Sequence, residues 1–428
     1  MEICLRRTLP KRKDGGVMNR TTLRKSAGLV AAFLLGMSWF SPGQSALRNM
    51  PDTISLTREQ LQAYQGGTWT VTSSGDESLA DVGASTGEMV WSFLGMPLKK
   101  VKVEVSADKR LIPGGQALGV AMRTDGVLIV GVSDAAEGIS PAKDAGLMAG
   151  DVIRSVDGQS ISTAEELTQA LTKAGPRQIP IAYQRAGVER TALLTPHRDQ
   201  ESGAVRLGAW VRDSTAGVGT LSFYDPDTKK YAALGHAITD GDTGSVLTVS
   251  EGKILNANIV AVQKGQKGLP GELKGSFLRE GQVVGDIRRN SILGIYGAMD
   301  APAANPLYPE GLPIGLRSGV HTGKASILST VDGTGIQEYA IEITRVNPQT
   351  APAPKSMVIR VTDERLLNTT GGIVQGMSGS PIIQDGRIIG AVTHVCLDDS
   401  AQGYGMYIEW MLEQSDRLSA NHAEQTAA

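Results

Sequence analysis

Glycine is the residue that most constrains how this chain folds. The sequence has 52 glycines in 428 residues, while aromatic residues make up only 4%. Glycine destabilises helix interiors and readily adopts the backbone conformations that tight turns require. Short apolar segments lie between the glycines, for example at 207–211, 219–224 and 231–234. The sequence therefore predicts a mainly β fold made of short strands and tight turns.

Length and composition exclude several classes of protein. A chain of 428 residues predicts about three domains. Hydrophobic residues make up 41% and charged residues 20%, which is enough apolar material for folded cores. The formal charge of −2 leaves no basic excess for binding a phosphate backbone, so nucleic acid is not an expected partner. Two cysteines, Cys4 and Cys396, exclude a disulfide scaffold and a cysteine-rich zinc site.

The N-terminus has the pattern of a targeting segment. Lysines and arginines between Arg6 and Lys25 precede an uncharged, mostly apolar run from Ala27 to Phe40. Residues 1–46 fit a cleaved signal peptide and an uncleaved signal anchor equally well. Basic residues before the apolar run predict that the rest of the chain lies outside the cytoplasm, either secreted or held at the membrane. Residues 47–97 are predicted to be a linker with some strand.

Residues 98–198 show the order of elements of a small α+β module. A short helix is predicted at 141–146, and an Asp157-Gly158 turn follows a strand. Thr163 and Glu166 have the spacing of a capping box at the start of a second helix. The run AGLMAGDVIRSVDGQSI is similar to PDZ domains, which bind an extended peptide by adding it as a strand to a sheet edge.

The PDZ resemblance implies a binding loop. In PDZ domains the backbone N–H groups of a glycine-rich loop hold a peptide carboxylate, and here that loop corresponds to Ala117, Leu118, Gly119 and Val120. Ala117 stands where glycine is common, so internal peptides and the protein's own chain are alternative ligands. A module used only for packing between domains is a further alternative.

A serine in the C-terminal half has the surroundings of a nucleophile. It lies in the run Gly376-Met377-Ser378-Gly379-Ser380-Pro381. The glycines allow a tight turn that exposes Ser378 Oγ, and the N–H groups of Gly376 and Ser378 can then form an oxyanion hole. The pattern resembles the nucleophile loop of chymotrypsin-like serine proteases. Ser380 is the competing nucleophile, and a glycine-serine turn without chemistry is the alternative.

A serine nucleophile needs a base, and five histidines are available. His236 is the best candidate because it ends an apolar strand and has a small residue on each side. A structural histidine at a strand end is its alternative role. His394 lies in the strand after the serine turn, where it could line a substrate groove or pack. The remaining histidines are His197, His321 and His422.

The third member of a triad would orient the imidazole. Asp363 is the candidate because it follows the alternating run 357–362 and precedes the serine, which gives the chymotrypsin-like order of histidine, aspartate and serine. It lies unusually close to Ser378 in sequence, and an N-cap for a short helix is an alternative role that could coexist with the first. The rival acids are Asp240, Asp242 and Asp300.

The order of these segments resembles the SpoIVB peptidases of endospore-forming bacteria. The resemblance is carried by LGHAITD and VTDERLLNTTGGIVQGMSGSPIIQDGRIIGAVTHV, after a signal-type N-terminus and a PDZ module. It implies a serine endopeptidase with His236, Asp363 and Ser378 as its triad. It also implies secretion from the forespore into the space between two membranes, self-cleavage, and cleavage of a membrane-bound regulator that leads to activation of sigma-K.

The expected architecture is thus a PDZ domain followed by a chymotrypsin-like, β-barrel-type serine peptidase domain over 199–428. Protein substrates and a peptide ligand of the PDZ domain are the expected partners. No cofactor or metal is expected, because acyl transfer by a triad needs none and the sequence has no His-Glu-x-x-His or Cys-x-x-Cys motif. An HtrA-like quality-control protease and a non-catalytic PDZ scaffold are the alternative functions.

Overall fold

The computed structural model describes the backbone at 53–57, 69–73, 85–93, 96–106, 109–277, 283–300 and 304–426. The predicted signal segment, 1–46, lies outside the described residues. Within the described ranges, no helix is long and apolar enough to cross a membrane. The region predicted as a linker contains strands in its described part.

Strands dominate the structure. They are β1 (Thr53–Thr57), β2 (Trp69–Ser73), β3 (Ser85–Phe93), β4 (Met96–Ser106), β5 (Arg110–Pro113), β6 (Ala117–Val132), β7 (Val152–Val156), β8 (Gln159–Ser160), β9 (Ile179–Arg185), β10 (Val188–Leu194), β11 (His197–Arg198), β12 (Val205–Arg206), β13 (Ala209–Asp225), β14 (Lys230–Ala233), β15 (Val249–Asn256), β16 (Asn258–Gln263), β17 (Glu272–Ser276), β18 (Val283–Asp286), β19 (Arg289–Ser291), β20 (Gly294–Ala298), β21 (Leu312–Pro313), β22 (Gly323–Ser329), β23 (Gln337–Val346), β24 (Met357–Val361), β25 (Pro381–Gln384), β26 (Arg387–Cys396) and β27 (Asp399–Tyr407). The α-helices are α1 (Pro141–Asp144), α2 (Ala164–Ala174), α3 (Glu364–Thr370) and α4 (Ile408–Thr426), and a 3-10 turn covers Arg317–Gly319.

The chain divides into two compact units. In the first, β2, β3 and β4 form an antiparallel sheet. The second contains residues 106–428 and carries every feature described below.

The region that resembles a PDZ domain has its own hydrophobic core, whose residues lie between Val127 and Val211 in the sequence. Helix α2 buries Leu167, Ala170 and Leu171 in this core. The predicted capping box is confirmed, because Thr163 Oγ1 accepts a hydrogen bond from the Glu166 N–H at 3.1 Å and the Glu166 carboxylate accepts one from the Thr163 N–H at 3.2 Å. The Ala164 N–H also donates to Asp213 Oδ2, at 2.9 Å, so side chains satisfy three of the four free N–H groups at the start of this helix.

Two long strands run from this region into the rest of the second unit. β6 pairs antiparallel with β13 along most of its length, from Ala117 opposite Thr220 to Val132 opposite Ala209. The first part of β6 also pairs with β15, and its later part pairs with β7. β6 belongs to the predicted PDZ domain and β13 to the predicted peptidase domain. Their pairing therefore crosses the boundary predicted between residues 198 and 199.

The predicted carboxylate-binding loop is instead a buried central strand. Ala117, Leu118, Gly119 and Val120 pair with β13 on one side, and Leu118 to Val120 pair with β15 on the other. Leu118 and Val120 are 2% and 4% exposed. A peptide needs a free strand edge, and here both edges are filled by the protein's own strands. The assignment of these four residues to a peptide carboxylate is therefore wrong.

A closed barrel forms the C-terminal part, in the strand order β22-β23-β24-β27-β26-β25. Its core includes Ile327, Ile341, Ile359 and Met406. A second core, around Leu221, Tyr231, Ile254 and Ile295, lies among the strands that precede the barrel. The prediction of a mainly β fold with a β-barrel in the C-terminal part of the chain is confirmed.

The last helix directly follows a strand of the barrel. Gly405, Met406 and Tyr407 end β27 and pair with β26, and Gly405 also pairs with Met357 of β24. Strand pairing on both sides satisfies more backbone groups at Gly405 than an exposed first helical turn would. Helix α4 therefore begins at Ile408.

Candidate active site

Hydrogen bonds from other strands hold the backbone around Ser378. The Thr220 N–H donates to the Ser378 carbonyl at 3.0 Å, and Thr220 Oγ1 donates to the Gly376 carbonyl at 2.7 Å. On the other side, the Gly379 N–H donates to the Val392 carbonyl at 2.8 Å. Ser378 Oγ itself donates to the Thr393 carbonyl at 3.2 Å. The serine therefore sits on a backbone fixed from both β13 and β26.

Gly379 lets this loop approach the preceding strands closely. Its φ is +98°, and a Cβ at this position would lie 2.1 Å from the Thr220 carbonyl oxygen and 2.6 Å from the Leu234 nitrogen. Only glycine fits such a contact. Since Leu234 lies two residues before His236, the same contact brings the histidine segment next to the serine loop.

Ser380, the competing nucleophile, is buried. It is 0% exposed, and its Oγ is buried without a hydrogen-bond partner within the described ranges. Ser378, in contrast, lines an open cleft of about 1250 Å³. Because a substrate can reach Ser378 and not Ser380, Ser378 is the better candidate for the nucleophile.

The two predicted oxyanion donors are available. Gly376 and Ser378 line the same cleft, and in the part of the chain that the structure describes neither backbone N–H has an acceptor. Both residues are half-buried and face the open cleft, so their N–H groups are free to donate to an oxygen bound there.

A left-handed turn directs His236 into the cleft. Leu234 has φ 70° and Gly235 has φ 69°, directly after β14 ends. A positive φ is uncommon for a residue such as leucine, and such strain is often found at functional sites. A Cβ at Gly235 would lie 3.0 Å from Thr393 Cγ2 and 3.1 Å from the Val392 carbonyl, so the turn is pressed against β26.

The tautomer of His236 suits a general base. Its Nδ1 lies 2.8 Å from the Ala237 carbonyl oxygen. A carbonyl only accepts, so Nδ1 carries the proton in this contact and the lone pair of the neutral ring lies on Nε2. His236 and Ser378 both line the cleft, which places a base and a hydroxyl on the same concave surface.

A second imidazole lies beside His236. The ring centroids of His236 and His394 are 5.6 Å apart, and His394 lines the cleft, as the first of its two predicted roles requires. Burial lowers the pKa of His394 to about 4, and the positive charges of His236 and Lys355 contribute to the shift. His394 therefore stays neutral at neutral pH.

The depressed pKa of His394 makes stability depend on pH in a defined direction. In the unfolded chain this ring takes up a proton as the pH falls through about 6.5, while the folded ring resists until about 4. Protonation therefore favours unfolding in this window, and His394→Gln is expected to flatten the loss of stability between these pH values. Urea unfolding of the parent and of His394→Gln at several pH values measures this dependence of the free energy of unfolding on pH.

His321 provides a control of opposite sign. The Thr322 carbonyl and the Asp385 carboxylate raise its pKa, so its contribution to stability is present at low pH and is lost as the pH rises through the folded pKa. His321→Gln should therefore steepen the acid dependence. If His394→Gln shifts the curve in the same direction as His321→Gln, the assignment of a buried neutral ring is incorrect.

The structure does not bring Asp363 to His236. Asp363 is the N-cap of α3, and its carboxylate accepts from the Arg365 N–H at 2.9 Å, the Arg365 guanidinium at 2.8 Å and the Ala340 N–H at 3.2 Å. The hydrogen bonds from Arg365 lower its pKa to about 2. The N-cap role, predicted as the alternative, is confirmed.

Strand register explains this separation. His394 pairs with Tyr404, which pairs in turn with Val358 of β24. Asp363 follows Val358 by five residues, about 16 Å along an extended chain. The partners that the structure gives this carboxylate lie on α3 and β23. Its place in a triad stays a prediction.

Variants of Asp363 separate the two roles. Asp363→Ala is expected to lower the free energy of unfolding by about 1 kcal/mol, because the cap is lost. Asp363→Ser should retain most of that stability, since serine caps helices well. Urea unfolding measures the stability of both, and equal loss in Ser and Ala would contradict the cap. Activity measurements then test the role of the carboxylate. If Asp363 is the triad acid, Asp363→Ser should be as inactive as Asp363→Ala.

The rival acids have other partners. Asp240 and Asp242 both accept hydrogen bonds from the Arg212 guanidinium. Asp300 is exposed. The acceptor that the structure gives to His236 Nδ1 is the carbonyl of Ala237, and a backbone acceptor leaves no signature in side-chain motifs.

Comparison with protein families agrees with this geometry. Residues 203–412 match the SpoIVB peptidase S55 family. This part of the chain is therefore similar to SpoIVB peptidase domains. Residues 132–185 match the PDZ domain family. The protein is therefore a serine peptidase with a PDZ domain, and the PDZ match begins after the four residues first assigned to peptide binding.

Several solved structures show distant similarity to this chain. The PDZ domain of the SdrC-like protein from Listeria monocytogenes is 24% identical and covers 20% of this chain and 87% of its own, with a TM-score of 0.18. The active form of the Rv3671c protease from M. tuberculosis is 14% identical over 47% and 73%, with a TM-score of 0.27. The HtrA-type protease AlgW with a decapeptide is 12% identical over 51% and 57%, with a TM-score of 0.29. No curated protein matches the chain.

Proposed function

We propose that this serine peptidase is an endopeptidase whose reaction is carried out by Ser378 and His236. The observation that carries the proposal is the shared cleft, where the serine hydroxyl, the imidazole and two N–H groups without acceptors in the described ranges lie together. These are the groups that acyl transfer requires: a nucleophile, a base and an oxyanion hole.

The proposed reaction begins when Ser378 Oγ turns from the Thr393 carbonyl toward His236 Nε2. The imidazole takes the hydroxyl proton as Oγ attacks the peptide carbonyl, and the N–H groups of Gly376 and Ser378 stabilise the oxyanion. His236 then gives the proton to the leaving amine. Water, activated by the same ring, hydrolyses the acyl-enzyme. The Ala237 carbonyl keeps the Nδ1 proton in place throughout.

The proposed biological role follows the family. We propose self-cleavage and cleavage of a membrane-bound regulator that leads to sigma-K activation during sporulation. The SpoIVB peptidase match supports this role, and the basic and apolar N-terminal pattern supports a location outside the cytoplasm. Capture of an extended peptide by the PDZ domain is part of the same proposal.

Labelling with a fluorophosphonate tests the chemistry. The full-length chain should react once, and peptide mapping should place the adduct on Ser378. An adduct elsewhere, or none, contradicts the proposal. Incubation with unfolded casein then separates the roles, because broad digestion indicates an HtrA-like quality-control protease and narrow cleavage indicates signalling. A non-catalytic scaffold would neither react with the fluorophosphonate nor digest casein.

A further inference from the structure

The hairpin formed by β16 and β17 contacts the loop that carries the proposed oxyanion hole. We call residues 258–276 the strap and residues 371–377 the oxyanion loop. The Leu273 N–H of the strap donates to the Gln375 carbonyl at 2.8 Å, and the Gln375 N–H donates to the Gly271 carbonyl at 2.8 Å. Both backbone groups of Gln375 are therefore bonded to the strap.

The strap and the loop are also packed tightly. A Cβ at Gly371 would lie 2.5 Å from the Gly265 carbonyl oxygen, and a Cβ at Gly376 would lie 3.0 Å from Leu273 Cβ. The Gly265 N–H donates to the Thr370 carbonyl at 2.8 Å. The contact therefore extends from the end of α3 to the residue before Met377.

The tip of the strap has an anchor of its own. The Gly268 N–H donates to the Leu397 carbonyl, just beyond β26, at 2.8 Å. The strap is thus fixed on both sides of the oxyanion loop. The sequence of this segment, rich in glycine and lysine, gave no indication of such a role.

One peptide bond connects the strap to catalysis. The Gln375 carbonyl and the Gly376 N–H belong to the same planar, trans peptide unit, so they point in opposite directions. When Leu273 holds the carbonyl on the strap side, the Gly376 N–H must point the other way. The direction of this proposed oxyanion donor is therefore set by a group more than 100 residues earlier in the chain.

The second donor is fixed differently. The Met377 carbonyl, which shares a peptide unit with the Ser378 N–H, accepts from the Ser380 N–H at 3.0 Å. That bond lies within the serine turn itself. The Gly376 donor thus depends on the strap, while the Ser378 donor depends on local structure.

We infer that Leu273 is a positioning residue, whose backbone N–H keeps the peptide unit between Gln375 and Gly376 in the orientation that forms the oxyanion hole. The inference rests on the proposed function. Without this bond the peptide unit is free to rotate and to turn its carbonyl toward the oxyanion. The strap therefore acts on the reaction step through the direction of the Gly376 N–H, and residues 272–275 of the strap also line the cleft.

Leu273→Pro tests the inference because it removes this N–H and leaves the loop sequence intact. With a p-nitrophenyl ester as acyl donor, kcat should fall about 100-fold, as for loss of one oxyanion donor, while KM changes little. The inhibition constant of phenylboronic acid, which forms a tetrahedral adduct on a serine Oγ, should rise in parallel. A folded variant with unchanged kcat overturns the inference.

Val260→Pro is the matched control. Val260 lies at the bulge of the same hairpin, where the register between Ile259 and Ala261 shifts, and its side chain is 66% exposed. Proline is tolerated at such positions. Kinetics and melting temperature should match the parent, and an equal fall in kcat in this control overturns the assignment to Leu273.

A second pair of variants decides the matter if Leu273→Pro does not fold. A Cβ at Gly271 would lie 2.3 Å from both the Gln263 carbonyl oxygen and the Gly265 nitrogen, so Gly271→Ala displaces the strap. Gly333→Ala, where nothing lies within 4 Å, is its control. The loss in kcat should appear in Gly271→Ala and not in Gly333→Ala. Fluorophosphonate labelling of the parent on Ser378 separates failure of this inference from failure of the proposed function.

Discussion

Replacing Ser378 by alanine is expected to abolish hydrolysis, with kcat falling about 10⁶-fold for a p-nitrophenyl ester. The side chain supplies the oxygen that becomes acylated, and an alanine methyl group cannot replace it. The Ser378 N–H remains, so the oxyanion hole and substrate binding are largely preserved. Steady-state kinetics should therefore show the loss in kcat, with KM little changed.

Ser380→Ala is the matched control for this variant. The two serines are separated by one glycine, yet Ser380 is 0% exposed and its Oγ has no partner within the described residues. Removing a buried, unpaired hydroxyl costs no hydrogen bond, so activity and stability should stay close to those of the parent. If Ser380→Ala is inactive and Ser378→Ala is active, the nucleophile has been assigned to the wrong serine.

The serine turn was readable from sequence because its chemistry is local. The glycines at 376 and 379 both have positive φ in the structure, as expected for a tight turn that exposes Ser378. The capping box at Thr163 was readable for the same reason, since its two partners lie three residues apart. Signals of this kind depend on neighbouring residues and survive without knowledge of the fold.

The segment 117–120 could not be placed from sequence because its environment is not local. A glycine-rich apolar run reads equally well as a binding loop or as a strand. What decided its state was pairing with β13 and β15, about 100 and 135 residues further along the chain. The same reason hid the strap, since its role comes from Gln375, a residue with no distinguishing feature in the sequence.

Asp363 shows how two local signals can compete. Its position before Glu364 and Arg365 predicted an N-cap, and the structure contains that cap. Its position before the serine predicted a triad acid, and the structure provides no contact with His236. A single carboxylate bound to Arg365 and to the Ala340 N–H has little capacity left for an imidazole.

The second large effect is expected for His236→Gln. Glutamine keeps a polar side chain of similar length but cannot accept the serine proton and then carry it as a cation. We expect kcat to fall about 10⁴-fold or more, as for loss of a catalytic base. The rate of fluorophosphonate labelling should fall as well, because the labelling reaction also needs an activated Ser378 Oγ.

His321→Gln is the control for this substitution. His321 is exposed, it pairs with Asp385 at 2.9 Å, and it is not among the residues that line the cleft. Its loss should leave kcat unchanged. If His236→Gln keeps full activity, the base must instead be the neighbouring imidazole of His394, whose ring centroid lies 5.6 Å from that of His236. With a pKa of about 4, His394 is neutral at pH 7 but is a much weaker base, so an enzyme that used it would keep its activity further into acid than a ring of ordinary pKa allows.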